Sequence, residues 1–134
     1  MQHEMHFEAG TLTVRVQGLF SLEKAKSGFL AVLDAAAQSQ AERVLVDGRM
    51  IEGAPAFMER YDYSEFIAEE VGKHLVERKL FPAIRFAYVL VPPIRDPGLF
   101  GENVAANRGM IVKTFDTLKG ALEWLDAPSD AQPC

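Results

Sequence analysis

The sequence predicts an α/β domain with a mostly parallel sheet, because strand-like and helix-like segments alternate along nearly the whole chain. The clearest unit follows Gly109, where a β-branched strand at 111–112 leads into apolar residues at helical spacing over 118–125. A second observation is the near-continuous apolar run within residues 85–91, which is typical of a central parallel strand buried on both faces. The predicted fold class is therefore α/β.

An antiparallel hairpin and a long helix come first. Residues 3–8 and 11–16 are predicted strands on either side of a turn at Ala9-Gly10, and the second strand alternates apolar and polar residues. Ser21 is a good N-cap, and the apolar residues from Leu22 to Ala36 keep the spacing of a buried helical stripe. This helix is expected to end near Gln38.

The middle of the chain predicts a short strand at 44–46 and a long helix at 56–79. Asp47 and Arg49 are expected to follow the strand, Pro55 to occupy the first helical position, and Gly72 to break or bend the helix. One apolar stripe of this helix is predicted to face the core. It comprises Phe57, Tyr61, Ala68, Val71 and Leu75.

The remaining elements complete the alternation. Pro92-Pro93 ends the strand at 85–91, Asp96-Pro97 is predicted to begin a helix, and Gly109 is predicted to end it. A fourth strand at 111–112 and a final helix to Leu125 follow. We expect one domain over residues 1–126 and a loose tail over 127–134.

Composition narrows the class of protein. The chain has 134 residues, 49% of them hydrophobic, which is enough for a core without disulfides. A formal net charge of −5 argues against nucleic acid as a partner. The single cysteine, Cys134, excludes an intramolecular disulfide, and the longest apolar run is too short for stable membrane insertion. We expect a cytoplasmic protein.

The order of elements carries a family resemblance. A hairpin is followed by βα units, Leu45-Val46-Asp47 precedes a glycine-containing loop, and the chain closes with a run from Phe115 to Leu125. Together with residues 102–109, these features resemble the STAS/SpoIIAA-like family, in particular its uncharacterised small bacterial branch. The resemblance spans Thr11 to Leu125 and implies a SpoIIAA-like parallel sheet.

The resemblance also implies a regulatory role, with one departure. Family members in sporulation control are antagonists of anti-sigma factors and are switched by phosphorylation of a serine at the start of a helix. The corresponding place here is Glu52-Gly53-Ala54-Pro55, which offers no hydroxyl. We therefore expect no serine switch at this position.

Motifs for catalysis or metal binding are weak. His3 and His6 are similar to a zinc-protease motif but have one spacer residue too few, and on a strand they would face opposite sides. No serine or cysteine lies in an elbow motif, and Gly98 and Gly101 lack the dinucleotide fingerprint. We expect no enzyme activity, no cofactor and no metal.

Two arginines are a candidate anion site. Arg49 and Arg95 follow neighbouring predicted strands, where ligands of open α/β sheets usually bind. Together they would hold a carboxylate or phosphate. The alternative is that they pair with Asp47, Asp96 or Glu52 and only fix loops.

The helix at 56–79 has more apolar residues than one core-facing stripe needs. The leading hypothesis is a non-enzymatic binding or regulatory module that holds a small nonpolar ligand beneath this helix. The alternative is a surface that binds a protein partner or a second copy of the chain as a homodimer. The candidate ligand-binding residues are Phe57, Met58, Tyr61, Phe66 and Ile67.

Overall fold

The computed structural model describes residues 1–95 and 100–127. The described part contains five strands and four helices that alternate after an initial hairpin. In chain order these are β1 (Gln2–Glu8), β2 (Thr11–Leu19), α1 (Leu22–Ser39), β3 (Arg43–Glu52), α2 (Phe57–Val76), β4 (Arg85–Val89), α3 (Phe100–Asn107), β5 (Val112–Phe115) and α4 (Leu118–Asp126).

The five strands form one sheet in the order β1-β2-β3-β4-β5. β1 pairs antiparallel with β2, whereas β2, β3, β4 and β5 pair in parallel. The fold class predicted from the sequence is therefore confirmed, including the antiparallel hairpin and the mostly parallel sheet.

Local sequence explains several of the boundaries. The Ser21 hydroxyl caps α1 by accepting from the Lys24 backbone N–H at 3.4 Å, and Thr117 caps α4 by accepting from the Gly120 N–H at 3.1 Å. Gly109 has φ +93°, so it ends the segment after α3 in a conformation that favours glycine. These capping residues are all visible in the sequence.

The sheet is covered on both faces. The larger core joins α1, α2 and α3 to alternate residues of the strands, such as Val14, Val46 and Phe86. A smaller core forms on the opposite face, where α4 packs on Leu45, Ala87 and Val89. Trp124 of α4 packs against this smaller core.

Two predicted boundaries were wrong. Asp47 and Arg49 lie within β3, which continues to Glu52 because β2 also continues and pairs Leu19 with Glu52 beyond a register shift. Pro55 precedes the N-cap residue Ala56 instead of occupying the first helical position.

Of the two alternatives predicted for Gly72, a break in the long helix was wrong, because α2 is continuous from Phe57 to Val76. Packing of Ala68 and Val71 on the core outweighs the weak helix propensity of one glycine. The predicted helix start at Asp96-Pro97 and the predicted tail beyond Ala127 lie outside the described residues.

None of the helices within residues 1–95 and 100–127 has the length and apolar character needed to cross a membrane.

Candidate functional site

A cavity of about 140 Å³ lies between the sheet and the helices α1, α2 and α3. Its floor is formed by inward-facing residues of the strands, among them Val14, Val46 and Tyr88. Because side chains alternate between the faces of a sheet, these residues share one face with the larger core. The cavity is therefore a gap within the larger core.

One face of α2 forms the roof. Arg60, Tyr63, Ser64 and Ile67 line the cavity, and they follow the i, i+3, i+4, i+7 spacing of a single helical stripe. This stripe was missed because its first three members are polar or amphipathic, whereas the sequence analysis followed apolar residues alone. Ser64 is nevertheless 6% exposed, so it belongs to the interior.

The five predicted ligand residues do not come together at this cavity. Ile67 is 3% exposed and lines it. Phe57 and Met58, in the first turn of α2, are 62% and 60% exposed. Phe57 therefore does not belong to the core-facing stripe in which the sequence analysis placed it.

Tyr61 and Phe66 contact charged side chains. The Tyr61 hydroxyl donates to Glu65 at 3.2 Å, and the guanidinium of Arg108 lies 5.8 Å from the Tyr61 ring centre. The Lys26 ammonium lies 5.3 Å from the ring centre of Phe66, which packs at the margin of the larger core. Neither aromatic residue lines the cavity in this structure.

Two tyrosines in the cavity wall share a hydrogen bond. The hydroxyl oxygens of Tyr63 and Tyr88 are 3.0 Å apart. Burial raises the pKa of Tyr63 to about 12, and burial together with its neighbour Tyr63 raises the pKa of Tyr88 well above its usual range. Both phenols are therefore neutral at physiological pH.

His3 of β1 also lines the cavity. Burial lowers the pKa of this histidine, with a smaller contribution from the N-terminal charge, and so favours the neutral imidazole. Its ring lies directly against Gly28 of α1, where an added Cβ would come within 2.2 Å of the imidazole. His6 forms a contact with Glu8 at 3.3 Å on the opposite face of β1. No group of three or more potential metal-ligating side chains occurs within the described ranges.

Charged side chains gather near the carboxyl ends of β4 and β5. Arg60 donates to the carbonyl of Pro93, and Arg95 forms an ion pair with Asp116. Glu102 accepts from the Thr114 backbone N–H at 2.8 Å. Apart from Pro93 and Asp116, these residues line the cavity, so its wall is apolar over most of its area and charged near these strand ends.

The two predicted anion-binding arginines lie in different surroundings. Arg49 forms two hydrogen bonds to the Asp47 carboxylate, at 2.9 and 2.7 Å, and these bonds lower the pKa of Asp47. Arg95 pairs with Asp116 and lines the cavity, whereas Arg49 does not line it. Pairing with acidic groups was the predicted alternative to an anion site. It named Asp47 as a partner but did not name Asp116.

Exposed apolar side chains occur near the carboxyl ends of β2 and β3 and in the first turn of α2. Leu19 and Met50 are 67% and 63% exposed, similar to Phe57 and Met58. Single exposed apolar residues are common, but four in this part of the fold make it a candidate interaction surface. We call these four residues the apolar surface group.

Comparison with known proteins gives a likeness in fold. No protein-family model matches the sequence, and no curated protein matches it significantly. The structure resembles the crystal structure of an anti-sigma factor antagonist from Mycobacterium paratuberculosis, with a TM-score of 0.59 and 14% sequence identity. The match covers 94% of each chain. The likeness bears on the fold, and it agrees with the resemblance found in the sequence. The chain therefore has the STAS/SpoIIAA-like α/β fold.

Proposed function

We propose that this chain is a non-enzymatic regulatory module that binds a small nonpolar molecule in the cavity between the sheet and α1, α2 and α3. The observation that carries the proposal is the cavity itself, about 140 Å³ in volume and lined mainly by apolar side chains. Protein interiors are otherwise close-packed, and gaps much larger than a water molecule are few. A cavity of this size between the sheet and the helices is therefore a candidate binding site.

The volume limits the size of the occupant. An engineered apolar cavity of about 150 Å³ binds benzene or xenon. The cavity here is of similar volume, so a ligand body of about six to eight carbon atoms fits without displacement of the helices. A long lipid chain does not fit in this conformation.

The titratable groups in the wall support binding rather than proton transfer. Burial shifts the pKa values of Tyr63, Tyr88 and His3 so that each side chain is neutral. Neutral side chains lower the free-energy cost of contact with a nonpolar ligand. A general acid or base needs a pKa near the working pH, and the pKa of Tyr63, at about 12, is far above it.

Two alanines of α1 allow a matched test. Ala25 lines the cavity, whereas Ala36 is buried in the same core without lining it. Ala25→Leu should fill the cavity and abolish binding of a nonpolar fluorescent probe with little loss of stability. Ala36→Leu should retain probe binding but lose about 1–3 kcal/mol of stability through overpacking. Mass spectrometry of a denatured extract of the wild-type protein should also detect a co-purified small molecule.

The proposal fails under a defined pair of results. It is refuted if folded Ala25→Leu binds the probe as well as the wild type and the wild-type extract contains no small molecule. Circular dichroism establishes that both variants are folded before the binding data are compared.

A second candidate function is protein binding, and the apolar surface group favours it. The similar crystal structure is that of an anti-sigma factor antagonist, which is consistent with a protein partner for this chain. A second copy of the chain is the simplest partner to test. Under this proposal, light scattering gives a mass above 14.9 kDa that returns to 14.9 kDa in Phe57→Ser.

Val76 supplies the control for that experiment. It lies at the other end of α2 and is 84% exposed, so Val76→Ser removes a similar apolar area outside the apolar surface group. A monomeric wild-type protein at high concentration would exclude self-association.

A further inference from the structure

β1 forms one edge of the sheet, and its outer side has no strand partner within residues 1–95 and 100–127. An unpaired edge presents a row of backbone N–H and C=O groups, so it is a template for another strand. Proteins usually protect such an edge with a short strand, a lysine, a proline or a bulge. The opposite edge, β5, is four residues long and carries Lys113, so it is protected in this way.

β1 has none of these protections. It has seven residues, Gln2–Glu8, and they include no lysine, arginine, proline or glycine. Its pairing with β2 continues along its whole length without a bulge. Met5 and Phe7 are 38% and 42% exposed, and they lie on the same face of the strand as His3. β1 is therefore a long, regular and partly apolar edge strand.

The turn after β1 determines which backbone groups point to this edge. Ala9 and Gly10 have positive φ angles, +51° and +81°, and they connect the paired residues Glu8 and Thr11. A two-residue hairpin turn of this kind closes with a hydrogen bond between its flanking residues. The backbone groups of Glu8 therefore point to β2.

The direction of the backbone groups alternates along an antiparallel strand. Because Glu8 points to β2, the N–H and C=O groups of His3, Met5 and Phe7 point to the open edge. A strand that pairs with this edge must present its own outward groups opposite these residues. A second copy of β1 does so when the two strands are antiparallel and centred on Met5.

The side chains of β1 are self-complementary in this register. Each Glu4 lies opposite His6 of the partner subunit, whose imidazole carries an N–H donor for the carboxylate. On the other face, each His3 lies opposite Phe7 of the partner subunit. A register centred on Glu4 or on His6 instead places two glutamates directly opposite each other, which destabilises a sheet. The register centred on Met5 is therefore favoured.

Contacts within one chain leave these groups available. His6 contacts Glu8 at 3.3 Å, but the two side chains are 73% and 79% exposed, so the contact is weak. Glu8 itself lies opposite Gln2 of the partner subunit in this register. The Gln2 oxygen accepts from Gln17 at 2.9 Å, and its amide N–H groups are donors for a carboxylate.

We propose that two copies of this chain associate through their β1 strands, which pair antiparallel about a two-fold axis at Met5 and join the two sheets into one. The backbone hydrogen bonds provide affinity, and the pairs of Glu4 with His6 select the register. One strand pair is a small interface, so the association should be weak and depend on protein concentration. The interface includes no member of the apolar surface group and requires no ligand in the cavity.

A matched pair of variants tests the interface. Sedimentation equilibrium of the wild type should show a mass that rises with concentration toward twice 14.9 kDa. Met5→Lys should raise the dimer dissociation constant at least about tenfold, because it places two lysines opposite each other at the two-fold axis. Met50→Lys is the control, since Met50 is 63% exposed on β3, which does not pair with β1. It should dimerise like the wild type.

A charge exchange tests the register. His6→Glu should raise the dissociation constant at least about tenfold, because it places a second carboxylate opposite Glu4 of the partner subunit. The double variant Glu4→Lys/His6→Glu should return the dissociation constant to the wild-type value, because opposite charges again face each other. Circular dichroism establishes that every variant is folded before the masses are compared.

The results have defined meanings. A wild-type protein that is monomeric at about 1 mM would overturn the inference, as would a dimer that persists in folded Met5→Lys and His6→Glu. A dimer that dissociates in Phe57→Ser but not in Met5→Lys would assign self-association to the apolar surface group and overturn the inference as well. Probe binding by Ala25→Leu is measured separately, so failure of the dimer and failure of the proposed ligand site are distinguishable.

Discussion

At the scale of single residues, Tyr63 and Tyr88 join α2 to the central strand β4. Their hydroxyls are 3.0 Å apart, and their rings meet edge to face at 6.5 Å with an interplanar angle of 85°. Tyr63 also packs edge to face on Phe29 of α1. The tyrosine pair therefore connects three elements around the cavity.

Tyr88→Phe should destabilise the protein by about 1–3 kcal/mol, because it leaves the Tyr63 hydroxyl buried without its partner. The double variant Tyr63→Phe/Tyr88→Phe should cost less than the sum of the two single variants, since no unpaired hydroxyl remains. Urea denaturation measures all three variants. Strict additivity would show that the hydroxyl contact contributes nothing.

Residue-scale prediction succeeded for caps and failed for the cavity wall. Ser21 and Gly109 were recognisable because each acts through its own backbone neighbourhood. Whether Arg60 or Phe57 faces the sheet depends instead on the rotation of α2, which is set by the other helices. Apolar content alone favoured Phe57, yet Phe57 is 62% exposed, and Arg60 lines the cavity.

At the scale of elements, two glycines with open surroundings have opposite roles. An added Cβ would find no atom within 4 Å at either Gly72 or Gly109. Gly72 lies in the continuous helix α2, whereas Gly109 has φ +93° after α3. The two positions therefore differ in backbone conformation rather than in available space.

Gly72→Ala should stabilise the protein by about 0.5–1 kcal/mol, because alanine is the better helix former and restricts the unfolded chain. Gly109→Ala should destabilise it by about 1 kcal/mol or more, because alanine is strained at positive φ. Chemical denaturation of the two variants measures both changes in the free energy of unfolding. Loss of stability in Gly72→Ala would mean that α2 needs a flexible position there.

The types and order of the elements were predictable, but their lengths were less so. Hydrophobic periodicity indicates strands and helices because each element buries one face or both. The extension of β3 from Val46 to Glu52 was not predictable in this way, because it depends on hydrogen bonds to β2. Asp47 and Gly48 are poor strand formers, and they lie in β3 because it pairs with β2.

At the scale of the whole molecule, the two faces of the sheet are covered unequally. Within residues 1–95 and 100–127, α1, α2 and α3 cover the face with the larger core, and α4 covers the smaller core. Arg85, at the start of β4, is 7% exposed and donates from Nη1 to the carbonyls of Trp124 and Ala127, at 2.9 and 2.6 Å. This buried cation holds the C-terminal end of α4 on the sheet and suits the negative end of the helix dipole.

Trp124 is the single tryptophan of the chain, so its fluorescence reports on α4. In the wild type, the fluorescence and far-ultraviolet circular dichroism transitions in urea should coincide, because both cores share β3 and β4. Arg85→Met should shift the fluorescence transition to lower urea than the circular dichroism transition, because it releases the end of α4. The free energy of unfolding of Arg85→Met should be lower than that of the wild type by about 1–3 kcal/mol.

Arg43 provides the control for this last prediction. It pairs with Arg85 in the register of the sheet, but its side chain donates to Thr11 at 2.9 Å and to the Ala9 carbonyl at 2.7 Å. Arg43→Met therefore removes a comparable cation that holds the β1–β2 turn instead of α4, and its two transitions should remain coincident. Coincident transitions in Arg85→Met as well would show that α4 unfolds only with the whole sheet, in which case Arg85 stabilises the molecule as one cooperative unit.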